Sequence, residues 1–424
     1  MRRCLFVLLL ALWPGTLMAQ EFFTLKGHGG PIMGIAVAPD GQIATASFDN
    51  ALGLWDGATP QWLDGHGAAV NTVIFDGPQL FSGSDDFTLR RWPGGEVVGE
   101  HLGKVMALAA LKNEIAAASW DGTIGLWPRA GGTPRYLTGH QAGVNALAVS
   151  GDGASLFSAS SDGTIREWDL ATAAEKIQLV RHGFGINELV IHPDAGWLAY
   201  GAVDGVTRII DIATGNQIAD FTLERRPVLA LALNPDKSRL AVGDGEGYIM
   251  VIDTENWQIA RDFRATLRGP VWALAFSNDG ANIHAGGLDS AMYSWPLASL
   301  DAHGQMGNAT PSFLRAPAEM ENGERQFARK CSICHTLTPS SARRAGPTLY
   351  QLFGRPAGTV SDYRYSDILD GSEIVWDDET VDALFDVGPD HFIPGSKMPM
   401  QRITDPQDRA DLIAYLKRAT KGAP

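Results

Sequence analysis

Residues 156–169 read LFSASSDGTIREWD: an apolar run, a tight turn carrying Asp162 and Gly163, then an alternating run ending on Trp168 and Asp169. The same unit recurs along the chain, ending on Trp55, Trp92, Trp127, Trp168, Ile210, Ile252 and Trp295, at gaps of 37, 35, 41, 42, 42 and 43 residues. Each unit supplies a strand, a turn and a strand. Period-2 alternation with Asp and Gly at the reversal is a strand signal.

Seven units at a period near 40 predict a seven-bladed β-propeller with four short strands per blade, over residues 20–296. A Gly-His or similar pair precedes the first four units, at Gly27-His28, Gly65-His66, Glu100-His101 and Gly139-His140. These residues resemble the WD-repeat family. The resemblance implies a buried hydrogen-bonded set of His, Ser, Asp and Trp in each blade, here His140, Ser160, Asp162 and Trp168, and His28, Ser47, Asp49 and Trp55. Blade five keeps His182 and Asp204 but has Ile210 for Trp; blade six has neither His nor Trp; blade seven keeps Asp289 and Trp295 without the His. These three are expected to rely more on apolar packing. "EFFTL" at 21–25 is in place to close the ring as the outer strand of the last blade, which leaves no open terminal edge.

The 424 residues allow two or three domains. The first 20, MRRCLFVLLLALWPGTLMAQ, carry Arg2 and Arg3, an apolar run from Cys4 to Trp13, a break at Pro14-Gly15 and a small residue at Ala19. This predicts a cleaved signal peptide over 1–19, with an uncleaved anchor as the alternative, and an exported, periplasmic mature chain with no membrane span. Cleavage would remove Cys4 and leave two cysteines, too few for a disulfide scaffold. The net charge of −14 argues against nucleic-acid binding. It is uneven: residues 312–424 hold 14 Lys+Arg against 16 Asp+Glu, so the acidic excess falls on the propeller part.

After Trp295 a stretch rich in Pro, Gly, Ser and Ala reads as a linker over 297–318. From Glu319 the pattern turns helical, with Gly323, Phe327 and Cys331 on one face, then KCSICHT at 330–336. A C-x-x-C-H run reads as c-type haem attachment. The other readings are a zinc site, for which a second Cys pair is missing, a thioredoxin-type disulfide, for which the βαβ context is missing, and chance.

"RRAGPTLYQLFGRPAG" at 343–358 and "FIPGSKMPM" at 392–400 resemble the class I cytochrome c family, mitochondrial and c2-like, over Asn322 to Arg418. The resemblance implies an all-α domain over 319–424 and one haem c, covalently held by two thioether bonds from Cys331 and Cys334. His335 would be the proximal iron ligand, with Pro347 accepting its Nδ1–H, and Met398 the distal one, Met400 being its close rival. Trp376, and Tyr363 or Tyr365, would face the haem propionate edge, or else pack as plain core; His391 reads as a surface or loop residue. Two protein ligands leave iron no open position, so the domain reads as a one-electron carrier. An apolar face carrying Leu412, Ile413, Tyr415 and Leu416, after a capping Asp405, would cross the first helix at Gly323 and Phe327.

Fold alone does not assign the propeller a task. One reading makes it a docking scaffold beside a redox partner protein. The alternative is an oxidoreductase whose propeller holds a second catalytic cofactor, with the cytochrome domain as relay. For that, His192, His284 and Arg225-Arg226 are candidates by elimination, each reading more readily as surface.

Overall fold

The computed structural model describes residues 21–194, 196–221, 227–302, 320–332, 334–369, 372–398 and 402–421. Residues 1–20, where a signal peptide is expected, Arg225-Arg226, Met400 and residues 303–319, most of the expected linker, lie outside the described residues.

Seven four-stranded antiparallel sheets stand around a common axis. Strand β1 (Phe23–Lys26) pairs antiparallel with β28 (Ala291–Pro296), Phe23 opposite Ser294 and Lys26 opposite Ala291. The first strand therefore completes the seventh blade, as the position of EFFTL predicts. The aligned Trp and Ile residues sit near the ends of the third strands with their rings and side chains buried: Trp55, Trp92, Trp168, Ile210, Ile252 and Trp295 are each 3% exposed or less. Asparagines stitch neighbouring blades. The side-chain amides of Asn71, Asn145 and Asn187 donate to the carbonyls of Val105, Ile186 and Val228, each on the innermost strand of the next blade.

The buried polar set is real but its hydroxyl is not the one expected. In blade four, Ser158, not Ser160, joins the others: His140 Nδ1–H donates to Asp162 (2.9 Å), His140 Nε2 accepts from Ser158 Oγ (2.7 Å), and Trp168 Nε1–H donates to that same Oγ (2.8 Å). Blade one uses Thr45 in place of Ser47, and blade two uses Ser82. The cause is reach. Ser160 lies at the strand end, where its hydroxyl bonds the turn backbone at Ala142, Gly143 and Asp162, whereas Ser158 sits beside the indole. Burial alone would raise the Asp162 carboxyl, but donors from Thr164, Gln141 and His140 outweigh it and hold the group down at about 2.

Blade three carries Ala117 where blades one, two and four carry the hydroxyl, and there His101 Nε2 and Trp127 Nε1 are buried with no partner. In blade five the aligned residue is Tyr200, its hydroxyl accepting from Arg208. Blade six replaces the set with buried Val242 and Ile252, and in blade seven Trp295 donates instead to the Ala265 carbonyl. The later blades are held by packing, as the missing residues imply.

The linker expected from Leu297 begins as a 3₁₀ turn, Leu297–Ala302, whose Leu297 and Leu300 are buried in the core of blade seven. Beyond it the C-terminal part is helical: α1 (Asn322–Lys330), α2 (Asp378–Val387), α3 (Pro389–Phe392) and α4 (Pro406–Ala419), with long irregular connections and a single bridge between Pro356 and Val375. Asp405 caps α4 by accepting from Gln407 N–H. Helices α1 and α4 cross at Gly323, where a Cβ would stand 2.0 Å from the Asp411 carbonyl oxygen, and Phe327 meets Tyr415 with ring centroids 5.7 Å apart. Replacing Gly323 by alanine is expected to destabilise this domain by about 1–3 kcal/mol, because the obstacle is backbone and cannot rotate away; thermal melting of the helical signal measures it.

No helix among the described residues is long and apolar enough to cross a membrane.

Candidate functional site

Helix α1 ends at Cys331, whose N–H still bonds the Phe327 carbonyl. The next turn folds back on itself: Cys334 N–H and His335 N–H both donate to the Cys331 carbonyl, at 3.0 and 2.9 Å. Two sulfurs and an imidazole thereby line one cavity. Burial pushes the Cys331 thiol up to about 12 and the Cys334 thiol up to about 11, which favours the protonated thiol in the unliganded cavity.

His335 is fixed by two neighbours. Its Nδ1–H donates to the Pro347 carbonyl at 2.7 Å, which leaves Nε2 with its lone pair for a ligand. A Cβ on Gly346 would stand 2.4 Å from His335 Cε1, so only glycine lets the ring lie where it does. Gly346 N–H bonds the Cys334 carbonyl and ties the loop to the motif.

Met398, Tyr363, Tyr365 and Trp376 line the same cavity as Cys331, Cys334 and His335. Tyr363 donates to the Ala345 carbonyl (2.6 Å) and meets Tyr365 edge-on, at 4.9 Å between centroids. Trp376 is held by backbone bonds to Gly354 and Arg355. The floor is apolar, from Leu352, Val381, Leu384, Phe385, Ile393 and Leu416. His391 is exposed on α3 and is not part of the lining.

Two lining residues were not found by reading the sequence. Arg355 is half-buried, its guanidinium donating to the Tyr350 and Thr348 carbonyls, and burial lowers its pKa. Ser366 Oγ is buried with no partner. The available signal was a lone cation in LFGRPAG and a lone serine in YRYSD, each beside cavity-wall residues.

The Cytochrome c family model matches residues 320–420. Cytochrome c of Sesamum indicum is 42% identical over 106 residues, 24% of this chain and 93% of that protein. The chain belongs to the cytochrome c family. Cytochrome c of Theileria parva is 40% identical over 115 residues, 27% of this chain and 98% of that protein, and that of Ginkgo biloba 38% over 104 residues, 24% and 91%. The model for the WD domain, G-beta repeat, matches residues 19–56, 58–93, 132–169 and 261–295, which are blades one, two, four and seven. The chain is thus a WD-repeat propeller joined to a cytochrome c domain. The three unmatched blades include the one with Ala117 and the two without Trp.

Membership in the cytochrome c family implies a covalently bound haem c. The residues of the cytochrome c domain fit such a group. The cavity has paired thiols beside an oriented imidazole, a thioether on its lining, apolar walls, and at the polar end a cation and an unpartnered hydroxyl.

The candidates for a second site in the propeller fare differently. His284 is 3% exposed and bonded to Ser294 at 3.1 Å, so it is a core residue and not a surface one; burial lowers its pKa to about 4. His192 is half-buried against the Trp197 ring and accepts from Asp194 N–H. The central channel is lined by the innermost strands and contains Glu188, where Gly34, Ala107, Ala146, Ala230 and Ala273 stand at the matching step of other blades. Desolvation raises its carboxyl to about 8. A folded-state pKa above the unfolded one means the folded chain holds the proton longer, so stability falls as pH rises from about 4.5 through about 8. Glu188→Gln is therefore expected to flatten that slope and to raise the melting temperature at pH 8 more than at pH 5.

Proposed function

We propose that the chain carries single electrons through a haem c bonded to Cys331 and Cys334, with His335 and Met398 as its axial ligands, on a complete class I cytochrome c fold. The observation that carries this reading is the one cavity into which two thiols, an imidazole fixed by Pro347 and the Met398 thioether all face. A haem there supplies reversible one-electron chemistry at a raised potential, since thioether ligation favours the reduced form. The protein's part would be to hold Nε2 and the sulfur in place, exclude water with the apolar wall, and meet propionate charge with the Arg355 cation and hydrogen-bond donors from Ser366, Trp376 and Tyr365, the Tyr363 O–H being already given to Ala345.

The propeller is read as a protein-docking scaffold. The WD-repeat likeness supports this reading, and Leu102, 91% exposed, with the half-exposed rings of Trp120 and Phe184 are apolar side chains at blades three and five that a protein partner would cover. The leader would send the chain to the periplasm.

The test is a cofactor census. Expressed with c-haem maturation, the purified chain is expected to hold one iron and a low-spin covalent haem, with no second chromophore. A second metal or chromophore that survives in a chain ending before Glu319 would make the propeller catalytic. Gly346→Ala should disturb the imidazole seat, seen as loss of the low-spin spectrum or of haem loading.

A further inference from the structure

The propeller and the cytochrome c domain meet in the described structure, and the meeting point is the mouth of the haem cavity. Phe48, Asn50, Gly67, Ala68 and Asp85, from blades one and two, line the same cavity as Cys334 and His335. Beside it Arg343 reaches across. Its guanidinium lies over the Trp62 ring, 4.5 Å from the centroid, and Nη2–H donates to Asp64 at 2.6 Å. Trp62 is a firm platform, since its ring packs edge-on against His28 (4.7 Å) and Trp55 (5.8 Å) of the blade-one polar set. Ala342 and Arg343 both take left-handed backbone conformations, φ 48° and 53°, which turn the loop outward.

Gly29 shows how close the approach is. A Cβ there would stand 2.1 Å from the Ala342 carbonyl oxygen. Its own blade does not demand glycine. Gly29 N–H donates to Asp49, and the matching N–H to Asp bonds in blades three, four and seven come from Leu102, Gln141 and Leu267. Gly29 has an ordinary φ. The missing side chain answers to the cytochrome loop, not to the propeller.

We propose that the propeller's first docking partner is its own cytochrome c domain. Blades one and two cap the haem mouth, with Arg343 as the latch and Gly29 as the fitted seat. An outside redox protein then gains direct access to that face only when the two domains part. This rests on the electron-carrier reading for its consequence, but the docking itself stands on contacts between residues of the chain.

Three full-length variants, two single and one double, test it. Gly29→Gln copies blade four and leaves the blade intact while blocking the seat; Arg343→Asp sets two carboxylates against each other, and Arg343→Asp with Asp64→Arg restores an opposite pair. Small-angle X-ray scattering is expected to show a larger radius of gyration for both single variants and recovery in the swapped pair. The haem of the single variants should then react several-fold faster with a protein-sized oxidant and at an unchanged rate with ferricyanide. Equal radii in all four chains would overturn the docking. A larger radius with no gain in rate would overturn the capping of the haem mouth. A chain without haem would sink the electron-carrier reading by its spectrum, and scattering would still decide the docking.

Discussion

Met398→Ala is expected to turn a low-spin, closed haem into one that binds added ligands, with a potential lower by on the order of 0.1–0.3 V, within the roughly 0.8 V that axial ligands span. The thioether is a soft donor that favours ferrous iron, and water or an empty position in its place favours the ferric form. The half-buried Met398 packs against the domain's apolar core together with Tyr365 and Trp376, so the truncation also opens a path for small anions to the iron position. Potentiometry and a cyanide or imidazole titration followed by absorbance measure both effects. An unchanged ferric spectrum would show that another residue, Met400 first, provides the sulfur.

Ser158→Ala should cost the propeller about 2–4 kcal/mol, since one hydroxyl serves two buried groups, and each orphaned polar group costs about 1–3 kcal/mol. The bonds form a relay: Trp168 N–H to Ser158 oxygen, Ser158 O–H to His140 Nε2, His140 N–H to Asp162. Removing Ser158 leaves an indole donor and an imidazole acceptor facing each other across a void. Blade three already has that defect, at His101 and Trp127. The opposite change, Ala117→Ser, is therefore expected to stabilise the chain by about 1–2 kcal/mol. Urea unfolding followed by tryptophan fluorescence reads both; the two shifts should have opposite sign.

The sequence disclosed the propeller because its period is long, regular and anchored by large residues at fixed steps. The ring closure was legible because EFFTL had no other sheet to join. The hydroxyl differs from the expected one because Ser158 and Ser160 are two residues apart on one strand and both fully buried; only the partners each meets separate them, and those come from other strands. The core of the candidate site was legible because C-x-x-C-H and the Gly-Pro pair are local. Arg355, Ser366 and Glu188 were not, because each is chemically ordinary until packing strips its water. Gly29 was the least legible of all. Nothing within its own blade marks it, and its reason lies more than three hundred residues along the chain, at Ala342.

The pairing of β1 with β28 sets an order of events. A chain emerging from its first residue presents β1 early and must keep it unpaired until the seventh blade has been delivered. KCSICHT comes later still, after the linker. Ring closure and cofactor attachment thus both fall at the end of synthesis, and a chain interrupted anywhere before β28 holds neither a closed ring nor the haem motif. Termination before β28 yields an open-edged fragment, whereas termination between β28 and KCSICHT leaves a closed ring without the motif.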